Sequence, residues 1–444
     1  MKGLLLIYLM TGVGTIGGLA NPLIGLFVYV MFAVLRPQAI WGFAGDMNGL
    51  SRLVGVVTLL SWAFRSFGDR RIGRGRVIVA SLLMFTLWMG LSALQATNTD
   101  ESFAAVTELA KVVLPFLVGI TLLNDEKYAR WMMWTIVLSQ GYVGFEMNWT
   151  YLTKGYNAAG EGFAGMDNNC LGVSLVSVIG PAMALGLAAK TWRGRALAAA
   201  SVALILHATL LTYSRGAMVG LLGVALTAFI IMPKSPKFVG AVVVVGLLAL
   251  RLTGPQLMAR YATAVMSEEE GGDLGEGRLD LWLDCLAVLK SKPLFGVGPW
   301  NWRVVASQYG WTNGKSAHSV WMETAAETGA PGVLSLLSFF GLTALYLWPV
   351  ARQRLTPENR YEMMMASGII MGVAGFAISG QFVSLAGLEV PYYVAMVGVV
   401  LLKLKSRQQQ AAPALARSTT PRLAMAGPPM RPAIGGIQSR AVPR

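Results

Sequence analysis

Apolar residues along the chain fall in blocks, and short polar connections separate one block from the next. A helix of roughly 20 apolar residues is long enough to cross the hydrocarbon core of a bilayer. The blocks predict membrane spans at 3–18, 20–35, 50–64, 77–96, 102–123, 129–151, 171–189, 196–213, 217–232, 238–252, 332–350, 362–382 and 386–402. We therefore predict an all-α polytopic membrane protein with about 12 transmembrane helices.

The first two blocks meet at the Ala20-Asn21-Pro22 break, which fits two short helices or one broken hairpin equally well. A basic start followed by a small-residue cleavage site would indicate a signal peptide, and this pattern does not occur here. We therefore expect the first block to remain in the protein as a membrane span.

Composition supports the membrane assignment. Hydrophobic residues make up 55% of the 444 residues and charged residues only 13%, whereas soluble domains carry roughly 25% charged residues. The formal net charge of +14 would indicate a nucleic-acid partner in a soluble protein. In a membrane protein, excess Lys and Arg normally face the acidic cytoplasmic leaflet. We therefore expect a lipid bilayer, and no nucleic acid, as the surroundings of this chain.

The positions of Lys and Arg predict the orientation of the spans. Every second connection is basic: Arg65 to Arg76, Lys127/Arg130, Lys190/Arg193/Arg195, Lys234/Lys237, Arg352/Arg354/Arg360 and Lys403/Lys405/Arg407. The connections between them, such as 97–101 and 153–170, are neutral or acidic. Because basic connections stay in the cytoplasm, the pattern predicts a multi-pass protein of the bacterial inner membrane whose loop 253–331 faces the periplasm.

Three regions follow from this pattern. Residues 1–405 are predicted to form the transmembrane helical domain, with 253–331 inserted between late helices as a periplasmic loop subdomain. Residues 406–444 are rich in Gln, Ala, Pro and Arg and are predicted to be a disordered cytoplasmic tail. Long connections in compact proteins are usually functional, so the inserted loop is where we expect the chemistry.

The inserted loop carries several motifs. An acidic run, Glu268 to Glu270, precedes the segment 277–282, which reads Gly-Arg-Leu-Asp-Leu-Trp. A helix is predicted from there to about Leu289, with Trp282, Leu286 and Leu289 on one face. A Gly/Pro turn cluster at 293–299 follows. The segment then continues to Ala317-His318-Ser319 and to Glu327 ahead of the next span.

Three side chains on the predicted outer face are candidates for function, and each also has a structural alternative. Arg215 lies in the tight turn Tyr213-Ser214-Arg215-Gly216, where a snorkelling arginine is the alternative. Arg278 is either functional or a solvated charge that pairs with Glu276 or Asp280. His318 is one of only two histidines and is either functional or incidental.

Taken together, these segments resemble the O-antigen ligase superfamily. The pattern is Ser214-Arg215-Gly216, Gly277-Arg278, the Gly/Pro cluster 293–299, and then His318 followed by Glu327 and Gly329. The N-terminal Leu35-Arg36-Pro37-Gln38 and Trp41-Gly42-Phe43 are similar to the branch of O-glycosylation ligases associated with exosortase systems. Motif order and topology match over about residues 1–400. Ser319 departs from the asparagine that many relatives carry there, which leaves details of the acceptor open.

The resemblance implies a GT-C-like membrane glycosyltransferase. Such ligases transfer a glycan from undecaprenyl pyrophosphate to a hydroxyl of lipid A-core at the periplasmic membrane face. It implies that Arg215 and Arg278 bind the pyrophosphate, since guanidinium groups bind phosphate oxygens in a fork. It also implies that His318 is the general base. Further donor or orienting contacts are expected from Arg36, Lys315 and Glu327. Attack opposite the pyrophosphate would invert the anomeric centre.

We expect neither a metal nor another cofactor. The stretch between positions 36 and 50 offers only Asp46, whereas metal-dependent lipid-carrier glycosyltransferases use an acidic pair in the first outer loop. Neither a P-loop nor a dinucleotide-binding fingerprint occurs in the sequence. Glu108 and Lys111, inside the span 102–123, are spaced to pair on one helix face. They either line a groove for the donor or form a buried structural pair.

Other functions remain open at this point. An O-antigen polymerase or a protein O-oligosaccharyl ligase of the same superfamily shares the donor chemistry and differs in its acceptor. A transporter of lipid-linked glycans is the alternative from a different class, with Glu108 and Lys111 in its path. No internal repeat typical of secondary transporters is visible in the sequence, and the polar residues concentrate at one face.

Overall fold

The computed structural model describes residues 2–41, 48–232, 276–384 and 388–418, together with the isolated positions 240, 247 and 251. The first eight helices are α1 (Lys2–Ala20), α2 (Pro22–Leu35), α3 (Pro37–Ile40), α4 (Asn48–Phe64), α5 (Arg76–Ala93), α6 (Thr99–Leu122), α7 (Glu126–Lys154) and α8 (Ala158–Glu161). The next eight are α9 (Asn168–Ala188), α10 (Trp192–Leu211), α11 (Arg215–Ile231), α12 (Glu276–Ser291), α13 (Trp302–Val305), α14 (Val320–Ala351), α15 (Arg360–Ser379) and α16 (Glu389–Ser418).

The chain is an all-α polytopic membrane protein, as predicted. Within the described ranges, β pairing is limited to one isolated bridge between Phe163 and Met166. Seven of the described helices are long and apolar enough to cross a membrane, namely α1, α5, α6, α9, α10, α14 and α15. The shorter α2, α4 and α11 are apolar too. The predicted span 238–252, the lysines Lys234 and Lys237 and the acidic run from Glu268 lie outside the described residues, apart from isolated positions. The total of about 12 spans stays a prediction.

Polar residues of the connections determine where the helices begin. The side chain of Asn21 accepts a hydrogen bond from the Leu23 amide, so two separate helices, α1 and α2, meet at the Ala20-Asn21-Pro22 break. Side chains of Asn98, Asp125, Asp167, Thr191, Ser214 and Ser319 cap the helices that follow them in the same way. These caps satisfy backbone amides that a helix leaves without partners at its start.

Helices α9 and α15 form the centre of the bundle and are mostly buried. Their backbones approach closely because glycines face each other: a Cβ atom at Gly180 would lie 2.6 Å from the carbonyl oxygen of Gly368. A Cβ atom at Gly372 would lie 2.4 Å from the carbonyl oxygen of Ser177. Small residues allow this kind of close packing between membrane helices.

The last helix extends beyond the predicted start of the C-terminal tail. Helix α16 continues past Lys405 to Ser418, into the segment 406–444 for which the sequence predicts disorder. Residues 408–412 are three glutamines and two alanines, which are good helix formers and extend a helix that has already begun. Residues 419–444 lie outside the described part of the chain.

The described part of the inserted loop, 276–319, forms a small helical unit, which we name the loop unit. The end of the bundle at which it lies is named the loop end. Leu281, Cys285 and Val288 of α12 are buried and pack with Trp302 of α13 and Ala326 of α14. The helix was predicted, but its predicted face was off by one position, because Leu286 and Leu289 are less buried than their neighbours Cys285 and Val288.

The Gly/Pro cluster joins this unit to the bundle through backbone hydrogen bonds. The amide of Val297 donates to the carbonyl oxygen of Ala326 at 3.0 Å, and the amide of Gly298 donates to the backbone carbonyl oxygen of Glu327 at 2.9 Å. The amide of Ala330 donates to the carbonyl oxygen of Pro293 at 2.8 Å. Helix α14 is interrupted at Gly329, whose φ of 69° and ψ of −174° are not helical. The interruption leaves backbone groups on either side of Gly329 available for these hydrogen bonds to the Gly/Pro cluster.

Replacement of Gly329 by alanine is expected to destabilise this junction. A Cβ atom there would lie 2.4 Å from the carbonyl oxygen of Leu294, and the backbone has a positive φ. Gly314→Ala is the matched control, since Gly314 also has a positive φ and a Cβ atom there meets nothing within 4 Å. The control should cost about 1 kcal/mol and Gly329→Ala clearly more, measured by thermal unfolding in detergent. Equal losses in the two variants would contradict the assignment of Gly329 to the junction.

Candidate functional site

His318 occupies a strained position directly before α14. Its φ is 49°, a left-handed conformation that is uncommon for residues other than glycine and clusters at functional sites. Its backbone amide donates to the hydroxyl of Ser316 at 3.4 Å. The next residue, Ser319, is buried and caps α14 by accepting from the amide of Met322 at 3.3 Å. The half-buried imidazole is therefore carried by a backbone that is anchored on both sides.

The surroundings of His318 lower its pKa below the ordinary value of 6.5. Burial is the largest cause, followed by the positive charges of Arg278 and Lys315. Asp167 acts in the opposite direction, and Arg303 adds a further positive charge. A lowered pKa keeps the imidazole neutral near pH 7, so that it can accept a proton. We name Arg278, Arg303 and Lys315 the basic cluster.

Two elements of the loop unit bring the basic cluster to His318. Arg278 lies in the first turn of α12 and is half-buried. One turn later, the indole nitrogen of Trp282 donates to the carbonyl oxygen of Ala317 at 3.1 Å, which ties α12 to the residue before His318. Lys315 lies in a turn in which its amide donates to the carbonyl oxygen of Thr312 at 3.0 Å.

Arg303 and Asp167 belong to the same group, and the sequence did not point to them. The Nε atom of Arg303 lies 3.9 Å from a carboxylate oxygen of Glu323, and half of the Arg303 side chain is exposed. The other carboxylate oxygen of Glu323 accepts from the hydroxyl of Ser384. Asp167 caps α9 by accepting from the amide of Cys170 at 2.7 Å. Neither residue lies in a distinctive motif; the nearest sequence signal is that Arg303 lies four residues after the Gly/Pro cluster.

Arg215 is exposed at the first position of α11, at the same end of the bundle. The turn before it depends on Tyr213, whose φ is 52°. Gly216 packs against Phe382, since a Cβ atom at Gly216 would lie 2.7 Å from the Cβ atom of Phe382. The ring of Phe382 lies 6.3 Å from that of Trp282. The turn of Arg215 and the helix of Arg278 therefore contact the same side chain.

Two of the predicted residues have other partners. The guanidinium of Arg36 donates to the carbonyl oxygen of Ala164 at 3.0 Å and to the carboxylate of Glu389 at 2.9 Å. Buried Glu327 accepts from the backbone amide of Trp302 at 3.2 Å. This contact joins Glu327 to the loop unit, and an orienting role of Glu327 toward His318 stays a prediction.

The second histidine has a structural environment. His207 of α10 is buried, and its Nδ1 atom is hydrogen-bonded to the side-chain amide oxygen of Asn148 on α7. The ring of Tyr151 packs beside it at 6.1 Å. Of the two histidines, His318 is the one surrounded by positive charge.

The loop end therefore combines an imidazole with several cationic side chains. A neutral imidazole is suited to take a proton from a hydroxyl. Guanidinium and ammonium groups are suited to hold phosphate oxygens and to stabilise negative charge as it develops. The buried Glu323 and the capping Asp167 set the charge balance around these cations.

Part of the chain matches a known protein family. The O-antigen ligase family model matches residues 200–337, a range that contains Arg215, the basic cluster and His318. No curated protein matches the chain at a significant level. The match over residues 200–337 supports the O-antigen ligase superfamily, the resemblance that the motifs of this region predicted.

Proposed function

We propose that this protein transfers a glycan from undecaprenyl pyrophosphate to a hydroxyl of lipid A-core at the periplasmic face of the bacterial inner membrane. The observation that carries the proposal is the half-buried His318 with Arg278, Lys315 and Arg303 around it. The family match supports the reaction class. The family match does not specify the donor or the acceptor, so both are inferred from the chemistry of the site.

The basic cluster fits a pyrophosphate leaving group. As the glycosidic bond to the carrier breaks, the bonding electron pair moves onto the pyrophosphate oxygen, and negative charge grows there. Arg278 offers a planar fork for two phosphate oxygens, and Lys315 offers a point charge. Arg215, exposed at the start of α11, supplies a further guanidinium at the loop end.

His318 fits the role of general base toward the acceptor. The acceptor hydroxyl oxygen forms the new bond to the anomeric carbon while its proton moves to the imidazole. The carrier leaves as the pyrophosphate from the other side, so the anomeric configuration inverts. The linkage of the product, determined by NMR, tests the inversion.

The role of Glu323 in this proposal is to position Arg303. Its buried carboxylate lies beside the Arg303 guanidinium and is held by the hydroxyl of Ser384. Because a buried carboxylate favours the nearby cation, this contact keeps Arg303 at the loop end. Arg303 is then available as an additional partner for donor phosphate oxygens.

Glycan transfer by the purified protein tests the proposal. The protein is mixed with a glycan linked to a polyprenyl pyrophosphate and with lipid A-core, in EDTA and without ATP. Glycosylated lipid A-core is the expected product, because His318 and the basic cluster supply the chemistry without metal or nucleotide. Products are separated by gel electrophoresis and identified by mass spectrometry.

The other outcomes of the same assay distinguish the alternatives. Longer lipid-linked glycans with unmodified lipid A-core would establish a polymerase. Transfer to a protein hydroxyl alone would establish a protein O-oligosaccharyl ligase. Movement of the lipid-linked glycan across vesicles without any transfer would replace the enzyme by a transporter.

A further inference from the structure

A second polar site lies apart from His318, in a cavity of about 910 Å³ between α2, α4 and α6. Binding pockets for small molecules span roughly 300–1,000 Å³, so the volume is ample for a ligand. Ala164 and Glu389 line the cavity at its loop end. Leu26, Thr58 and Val118 line it deeper in the bundle.

Five charged side chains line this cavity: Arg36, Arg52, Lys111, Glu108 and Glu389. Lys111 lies about 18 Å along α6 from its first residue, which is well inside a membrane-crossing helix. Ionisable groups at such depth are costly in lipid and mark a binding site or a water-filled path. The charges therefore indicate that this cavity receives a polar group.

The charged side chains of the cavity lining differ in how firmly their contacts fix them. Arg36 is fixed by Ala164 and Glu389, and its side chain is 21% exposed. Lys111 forms an ion pair with Glu108 on the same helix, and these side chains are 40% and 46% exposed. The hydroxyl of Tyr29 donates to the backbone carbonyl oxygen of Lys111 at 3.2 Å, which joins α2 to α6 at Lys111. An ammonium carries three donors, so Lys111 retains donors for a ligand beside its pair with Glu108.

The rest of the lining is apolar and continues toward the middle of the membrane. Its residues include Leu26, Phe32, Leu59, Leu114 and Val118. Val56 of α4 lines the cavity and is 54% exposed. Its neighbours Leu53 and Leu60 on the same helix are exposed to a similar degree. Helix α4 thus has an apolar surface beside the cavity that suits contact with lipid chains.

We propose that this cavity binds a lipid with a phosphate headgroup. The phosphate contacts Arg52 and Lys111, Arg36 adds positive charge at the mouth, and the hydrocarbon chain lies along the apolar lining. Glu389 and Glu108 are each paired with a cation, and the five charges sum to one net positive charge. Arg52 is the cation of the lining that forms neither of these two ion pairs, so the excess positive charge resides there.

The cavity adjoins the His318 site through one short segment. Ala164 lines the cavity, and its carbonyl oxygen accepts a hydrogen bond from Arg36. Three residues later, the negative charge of Asp167 raises the pKa of His318. The backbones of Phe163 and Met166 pair with each other and close a tight turn around Ala164, directly before Asp167. A lipid phosphate in the cavity would therefore lie on the other side of this segment from the transfer site.

Lipid binding to the full chain in detergent, followed by native mass spectrometry, tests the proposal. The probes are a polyprenyl monophosphate, phosphatidylglycerol and phosphatidylethanolamine. Arg52→Gln removes one cation, and the double variant Glu108→Gln with Lys111→Met removes the ion pair without leaving an unpaired charge. Each variant should bind the anionic lipids about tenfold more weakly. Lys154→Gln, at the exposed end of α7, is the control and should bind as the wild type does.

A comparison of how tightly the three lipids bind shows which kind of lipid supplies the phosphate. Preference for the polyprenyl phosphate would assign the cavity to a carrier lipid, and equal binding of phosphatidylglycerol would assign it to bilayer lipids; both support an anionic-lipid site. Equal binding of phosphatidylethanolamine in wild type and variants would overturn it. The proposed function needs His318 for transfer, but the variant His318→Ala should bind lipid as the wild type does. The transfer assay and the lipid-binding assay therefore test the two proposals independently.

A measurement on the unchanged protein keeps the proposal testable if a variant does not fold. A photoreactive polyprenyl phosphate is crosslinked to the wild type, and the labelled peptides are mapped. Labels on α4 and α6 beside Arg52 and Lys111 are expected. Labels confined to other helices would overturn the proposal.

Discussion

His318→Ala is expected to reduce the rate of glycan transfer by about 10²–10⁴-fold, the usual contribution of a general base. The lowered pKa of His318 keeps its imidazole neutral near pH 7, and alanine offers no group to take the proton of the acceptor hydroxyl. Since His318 has a positive φ, His318→Asn serves as the comparison, because asparagine tolerates that backbone conformation. Both variants should retain the thermal stability of the wild type while losing turnover.

The pH dependence of transfer gives a second readout for the same residue. The neutral imidazole is the active form, so activity should rise with pH as His318 loses its proton, with the midpoint below 6.5. Lys315 lowers this pKa through its charge. Lys315→Gln should therefore raise the pKa of His318 and move the acid limb of kcat/KM to higher pH.

A different profile would exclude His318 as the base. If the acid limb of the wild type remained in His318→Asn, with only the amplitude reduced, another group would be titrating. If Lys315→Gln changed KM without moving the acid limb, Lys315 would contact the donor and leave His318 unaffected.

Much of the fold was predictable because apolar spans and polar caps are local properties of the sequence. Asn98, Asp125 and Asp167 lie in predicted connections and cap the helices that follow. The end of α16 was not predictable by the same rule, because helix formers such as Gln and Ala extend a helix into a segment whose composition indicates disorder.

The site was predictable only in part. The order of Arg215, Arg278 and His318 pointed to the loop end, and the structure places all three there. Arg303 depends on the packing of the loop unit against α14, where buried Glu323 receives it. No local pattern encodes such a contact between segments that only the fold brings together.

Arg36 shows how a motif is predictable while its role is not. The segment 35–38 carries part of the resemblance, and Arg36 was expected to contact the donor. Its partners are Ala164 and Glu389, both distant in sequence. These contacts assign it to the mouth of the cavity between α2, α4 and α6.

Arg278→Gln is expected to lower kcat/KM for the pyrophosphate donor by about 10²–10³-fold, as happens when a donor to developing negative charge is removed. Arg278→Lys keeps the charge and loses the planar fork, so its loss should be smaller but clear. The control is Lys290→Gln, on the exposed last turn of the same helix and about 18 Å away along its axis. Steady-state transfer with varied donor measures all three variants.

The split between kcat and KM distinguishes the roles open to Arg278. Stabilisation of the leaving pyrophosphate predicts that kcat falls with kcat/KM, because the charge grows only as the bond breaks. A rise in KM alone would reduce Arg278 to ground-state binding. Since Arg278 also lowers the pKa of His318, Arg278→Gln should move the acid limb to higher pH, and Arg278→Lys should leave it in place. An unshifted limb in Arg278→Gln, together with unchanged kcat, would remove Arg278 from the site and leave Lys315 and Arg303 as its cations.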